Sequence, residues 1–157
     1  MKLFTIALFM LAASATNAKA DGFNCASDND DVHAKVYNHI DPSAGTRTPA
    51  VLIISDPQDG AEKNHTIAHF TDVDGTLTSH GARYVATVSD ELRASAKGDS
   101  LISGTRLADV ATMTLNVVYA FNHPLPNGAE TSGYLVLSKT DGTTTAMELV
   151  CKRYLRK

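Results

Sequence analysis

Apolar and polar residues alternate with a period of two along most of the chain from Val32 onward. This alternation places apolar side chains on one face of an extended strand, and no long helical stripe accompanies it. The stretch 50–54 is instead a continuous, largely β-branched run that suits a central strand. The predicted strands span 32–37, 50–54, 65–70, 83–88, 112–121, 133–138 and 144–151.

Turn-forming clusters separate these segments at 41–45, 56–60 and 123–128, where proline fixes φ and glycine supplies positive φ. The Asp141-Gly142 pair predicts a hairpin between the last two strands. One short helix is predicted where Ser89 or Asp90 could cap a turn or two before Gly98, although a polar loop explains the same residues. About seven to nine short strands of this kind predict an all-β fold, an antiparallel β-sandwich of Ig-like or Greek-key type.

The first twenty residues have the features of a secretory signal peptide. Lys2 precedes an apolar run, and Ala18-Lys19-Ala20 matches an A-x-A cleavage site. The apolar run is shorter than the roughly 20 residues that a membrane-spanning helix needs. We therefore expect a signal peptide at 1–20, a single β-sandwich domain at 21–157, no membrane span, and export to the periplasm or the extracellular medium.

The charge balance bears on possible partners. The signal contains two lysines and no acidic residue, so its removal shifts the formal charge from −3 to −5. Nucleic-acid binding depends on clustered lysine and arginine that neutralise phosphates, so we expect no nucleic-acid partner.

The two cysteines, Cys25 and Cys151, lie near opposite ends of the expected mature chain. An oxidising compartment permits a disulfide, and two cysteines allow one intramolecular pairing. Free thiols or a redox pair are the alternatives, but the spacing is not that of a C-x-x-C motif. The bridge would bring Lys152 and Arg153 close to the acidic run of Asp28, Asp30 and Asp31.

The segment from Asp72 to Thr76, Asp-Val-Asp-Gly-Thr, resembles the nucleophile motif of haloacid-dehalogenase-type phosphatases. The resemblance implies Asp72 as phosphoryl acceptor, Asp74 as general acid and magnesium as cofactor. That family places the motif after a buried parallel strand and follows it with crossover helices, whereas the flanks here alternate with a period of two. A hairpin turn at Asp74-Gly75 accounts for the same residues.

Of the six histidines, His65 and His69 form the closest pair in sequence and are the candidate metal ligands. On a strand that rises about 3.3 Å per residue, the two lie on one face roughly 13 Å apart. A metal site would therefore need partners from neighbouring strands, and solvent-facing histidines are the alternative.

No local nucleophile motif such as G-x-S-x-G occurs. We therefore expect a non-enzymatic binding or envelope-associated module without a cofactor, whose loops or sheet edge contact an unidentified macromolecular partner. A metal-binding protein and a magnesium-dependent phosphatase are the alternative functions.

Overall fold

The computed structural model describes residues 21–29, 31–38, 50–56, 65–120 and 125–155. The expected signal peptide at 1–20 lies outside these residues, as do Asp30 and the turn cluster at 41–45. Signal and cleavage site therefore stay predictions.

Ten strands account for most of the described chain, with one short helix. The strands are β1 (Asp21–Ala26), β2 (His33–Asn38), β3 (Ala50–Asp56), β4 (His65–Thr78), β5 (Gly81–Thr87), β6 (Leu101–Ile102), β7 (Thr105–Arg106), β8 (Val110–Val118), β9 (Glu130–Lys139) and β10 (Thr144–Leu155). The helix α1 spans Asp90–Ala94, and 3₁₀ turns span Ala96–Asp99 and Leu107–Asp109. The predicted all-β, antiparallel character with little helix is confirmed.

The predicted sandwich is wrong, because the main sheet closes into an eight-stranded barrel. Its strands follow one another around the barrel in chain order, interrupted only by the small β6–β7 hairpin. Strand β1 pairs with β2 on one side and with β10 on the other. The pairing of the first strand with the last one closes the barrel. Every connection joins neighbouring strands, so the topology is an up-and-down meander and the expected Greek key is wrong as well.

The barrel interior is the hydrophobic core. Alternate residues of each strand point inward, and the largest side chains that are fully buried include Phe23, Leu52, Ile54, Tyr84, Met113, Leu115, Leu135 and Leu137. The period of two in the sequence therefore corresponds to inward and outward positions of a closed sheet, which sequence alternation does not distinguish from a sandwich.

The segment between β5 and β8 extends the core beyond the strands. Of the two candidate caps, Ser89 caps α1, accepting a hydrogen bond from the Leu92 backbone N–H at 3.2 Å. Ile102 and Leu107 are fully buried and belong to the same apolar cluster as the barrel interior, and Leu92 packs against that cluster. The hairpin β6–β7 reverses through Ser103 and Gly104, both with positive φ.

The predicted disulfide between Cys25 and Cys151 is present. The two cysteines are directly opposite each other on β1 and β10, and both are buried inside the barrel. Segment 21–26, which the alternation did not identify as a strand, is β1. The bridge therefore joins the first and last strands at the barrel's closing seam.

The expected position of Lys152 and Arg153 beside the acidic run is wrong. Because β1 and β10 are antiparallel, residues after Cys25 run alongside residues that precede Cys151. Lys152 is paired with Asn24, and Arg153 with Phe23. The chain beyond Ala26 instead heads toward Glu148.

Candidate ligand-binding depression

A depression of about 190 Å³ lies on the outer face of β9 and β10. It is lined by residues 132–134 and 148–150 and by Asp28 from the loop between β1 and β2. The interior of the barrel at the same height is filled by buried side chains such as Leu135 and Leu149. The concavity therefore belongs to the outer surface of the barrel.

Strand register explains why these side chains share one place. Tyr134 is opposite Glu148, and Ser132 is opposite Val150. Their strand neighbours Leu135, Leu149 and Cys151 are buried, so the polar set points outward. Cross-strand neighbours on one face of an antiparallel pair lie about 5 Å apart at Cβ. Tyr134, Glu148, Ser132 and Val150 thus form a compact square.

Asp28 reaches the depression because of the β1–β10 pairing. Ala26 is opposite Val150, so the chain leaves β1 at the level of the square and continues toward Glu148. Its loop is held by reciprocal contacts: the Ser27 N–H donates to the Val32 carbonyl at 3.0 Å, and the Val32 N–H donates to Ser27 Oγ at 3.0 Å. Asp28 therefore lies beside β9 and β10 in a loop that these two hydrogen bonds hold in place.

The electrostatic character of the depression is acidic. Its described lining contains two carboxylates, Asp28 and Glu148, and no lysine, arginine or histidine. Lys152, the next outward residue of β10 after Val150, lies 4.0 Å from Glu130 Oε1 through its Nζ atom. Lys152 and Glu130 are opposite each other on β10 and β9, two residues along each strand from Val150 and Ser132.

The depression also has apolar and aromatic surface. Tyr134 is 38% exposed and Val150 is 47% exposed, both high values for large hydrophobic residues. Tyrosine combines an apolar ring with a hydroxyl that can donate or accept a hydrogen bond. The site thus offers one aromatic face, one aliphatic side chain, two hydroxyls and two carboxylates.

The predicted metal ligands lie on β4. His69 is exposed and is paired with Ile53. His65 is paired with Asp56, and the structure describes its backbone but not its side chain. Within the ranges that the structure describes, no three residues of the types His, Cys, Asp and Glu form a group that could hold a metal ion. The two-histidine metal site stays a prediction.

The aspartates of the phosphatase-like motif also lie on β4. Asp72 and Asp74 are exposed positions of an antiparallel strand that continues to Thr78, and Asp74 is paired with Val85. The predicted hairpin turn at Asp74-Gly75 is wrong. The chain reverses at Ser79 and His80, where Gly81 has φ of 143° and closely approaches the Val117 carbonyl.

Sequence reasoning did not identify Tyr134, Glu148 or Ser132. Alternation identifies them as outward residues, but a solvent-facing tyrosine or glutamate is an ordinary feature of a strand. The cysteine pair is the sequence feature that could have identified them. A register in which Cys25 lies directly opposite Cys151 in antiparallel strands also brings Asp28 level with Glu148.

In the described part of the chain, no helix has the length and apolar character needed to cross a membrane. No family model, curated protein or solved structure matches this chain.

Proposed function

We propose that this protein is an exported, non-enzymatic binding module that takes its ligand in the depression on the outer face of β9 and β10. The observation that supports this proposal is that four polar side chains line one concave site: Asp28, Ser132, Tyr134 and Glu148. Binding sites combine concavity and apolar surface with a few convergent polar groups, and this depression has all three.

Export is supported by two independent features. The segment 1–20 has the composition of a secretory signal, and the Cys25–Cys151 bridge is of the kind that persists in oxidising compartments. A protein of this kind would meet its ligand in the periplasm or the extracellular medium.

Barrel closure favours recognition by side chains. Each of the eight strands in the described main sheet pairs with a neighbour on both sides. A peptide that adds a strand needs an unpaired sheet edge, so this mode of recognition has no template in the described barrel. The contact modes expected from the sequence were loops and a sheet edge. Closure of the barrel favours the loops, and the depression adds side chains of the outer face.

The size of the depression favours a small ligand or a single chemical group. Pockets for drug-sized molecules usually measure about 300–1,000 Å³, and this one measures about 190 Å³. A module of this kind would hold one small molecule or one protruding group of a larger partner.

A fragment screen monitored by backbone amide chemical shifts in NMR tests the proposal. We expect binders to shift the amides of Ser132, Tyr134, Glu148 and Val150 together. Tyr134→Ala should abolish these shifts, whereas Tyr37→Ala, which removes an aromatic side chain from β2, should leave them. A diverse screen in which no fragment shifts this group of amides would overturn the proposal.

A further inference from the structure

We infer that the group bound in the depression is an alkylammonium, the positively charged end of a small primary amine. The inference rests on the proposed function, since it names the ligand class of the same site. It follows from the charge, the donor and acceptor pattern, and the size of the depression.

The charge of the lining favours a cation. Asp28 and Glu148 both line the depression, and its described lining supplies no positive side chain to offset them. A bound cation would make favourable contacts with both carboxylates, whereas an anion would add a third negative charge.

The pattern of acceptors fits an ammonium group. An ammonium has three N–H donors and no acceptor. Glu148 and Asp28 can each accept a charge-assisted hydrogen bond, which is stronger than a neutral one. The Ser132 hydroxyl, diagonally opposite Glu148 across β9 and β10, supplies a further acceptor.

The apolar part of the depression fits the carbon chain of such a ligand. Tyr134 flanks Glu148 and is exposed, so its ring is available to a ligand in the depression. A cation near the face of a tyrosine ring is attracted by the ring quadrupole. Val150, the outward neighbour of Glu148 on β10, would contact the methylene groups.

A metal ion fits the same lining poorly. Calcium takes about six to eight oxygen ligands, and magnesium demands near-octahedral geometry. The described lining offers two carboxylates, one serine and one tyrosine. An organic ammonium needs fewer ligands and also uses the aromatic and aliphatic surface, which a metal would leave unused.

Three five-carbon probes of matched length test the inference: cadaverine, pentanediol and glutarate, which end in ammonium, hydroxyl and carboxylate groups. We expect cadaverine to shift the amides around Tyr134 and Glu148 at millimolar concentration, and the other two to leave them unchanged. The cadaverine affinity should fall as salt is added, because exposed charges are screened.

Charge-neutralising variants locate the binding. Glu148→Gln and Asp28→Asn should each weaken cadaverine binding by about tenfold, since each removes one charge-assisted hydrogen bond. Glu130→Gln is the matched control, because Glu130 lies on β9 and faces Lys152. It should leave the affinity unchanged.

The possible outcomes separate the inference from the proposed function. Binding of pentanediol or glutarate at the same amides as tightly as cadaverine would overturn the ammonium assignment and leave the depression as a binding site. Cadaverine that does not bind, or that binds with Glu148→Gln as tightly as with the unmodified protein, would also overturn it. The proposed function fails separately, when the fragment screen finds no binder at this site.

Discussion

Gly133 faces the interior of the barrel against the Sγ atom of Cys151, so closely that a Cβ atom at position 133 would overlap the sulfur. The same Cβ would lie 3.1 Å from the Asn116 carbonyl oxygen. The absence of a side chain at this position of β9 thus makes room for the disulfide between β1 and β10.

Gly133→Ala should therefore lower the free energy of unfolding by about 1–3 kcal/mol, the usual cost of overpacking a closed core. The loss should be smaller in a Cys25→Ala, Cys151→Ala background, because the sulfur that the new methyl group meets is gone. Urea unfolding of the four proteins measures this coupling. Equal losses in both backgrounds would show that the disulfide does not cause the crowding.

Removal of the disulfide should destabilise the barrel strongly. The bridge joins residues 126 positions apart, and closing a loop of this size is worth roughly 4–5 kcal/mol in the chain-entropy model. The double variant Cys25→Ser, Cys151→Ser should lose about this much free energy of unfolding. Its melting temperature should fall as a result. The unreduced protein should show no reactive thiol in urea, and thiols that react without reductant would contradict the pairing.

Arg153 should contribute to stability through Phe23. Its Cζ atom lies 4.9 Å from the centroid of the Phe23 ring, which is fully buried and lies 5.9 Å from the Tyr119 ring. Arg153→Met keeps an apolar stem and removes the cation, so unfolding should become about 0.5–2 kcal/mol easier.

Lys152→Met on the outer face is the matched control for Arg153. Its ion pair with Glu130 is exposed, and such pairs contribute about 0–1 kcal/mol. Urea unfolding should rank the Arg153 variant as the less stable one. The reverse order would show that the contact with Phe23 is energetically minor.

Asp141 in the last hairpin should titrate below the ordinary range. The Thr143 hydroxyl donates to Asp141 Oδ1 at 2.7 Å and the Thr143 backbone N–H donates to the same oxygen at 2.8 Å, and these bonds lower the pKa of the carboxyl. A depressed folded-state pKa contributes stability above the unfolded pKa of about 3.9, and this stability is lost as the pH falls through the folded value.

Thr143→Ala should raise the Asp141 pKa toward its ordinary value, while Thr144→Ala should leave it unchanged. NMR titration of the side-chain carboxyl carbon measures both. The acid-induced loss of stability that comes from Asp141 should shrink in the Thr143 variant. An unchanged Asp141 pKa in that variant would assign the shift to the backbone N–H alone.

The sequence predicted turns and caps within a few residues better than it predicted the closure of the sheet into a barrel. The Asp-Gly turn at 141–142 and the cap at Ser89 depend on residues within a few positions, and both are present. Barrel closure depends on the pairing of β1 with β10, and alternation along either strand contains no information about which strand lies beside it. Segment 21–26 contains Gly22 and Asn24, which are depleted in strands, and its only large apolar residue is Phe23, so alternation did not identify it as a strand.

The candidate depression depends on the same long-range pairing. Glu148 and Tyr134 become neighbours through the β9–β10 hairpin, which the sequence did predict. Asp28 joins them only because β1 lies beside β10. The disulfide was predicted from compartment and count, but its register was needed to place the acidic side chains.

The pairing of Asp21 with Leu155 places the two outer ends of the barrel's seam side by side. A circular permutant is therefore feasible: a short linker would join these ends, and new termini would open in the turn at Gly142. All eight strands would keep their neighbours. The bond between Cys25 and Cys151 would then span a short loop instead of nearly the whole chain, and would constrain the unfolded chain far less.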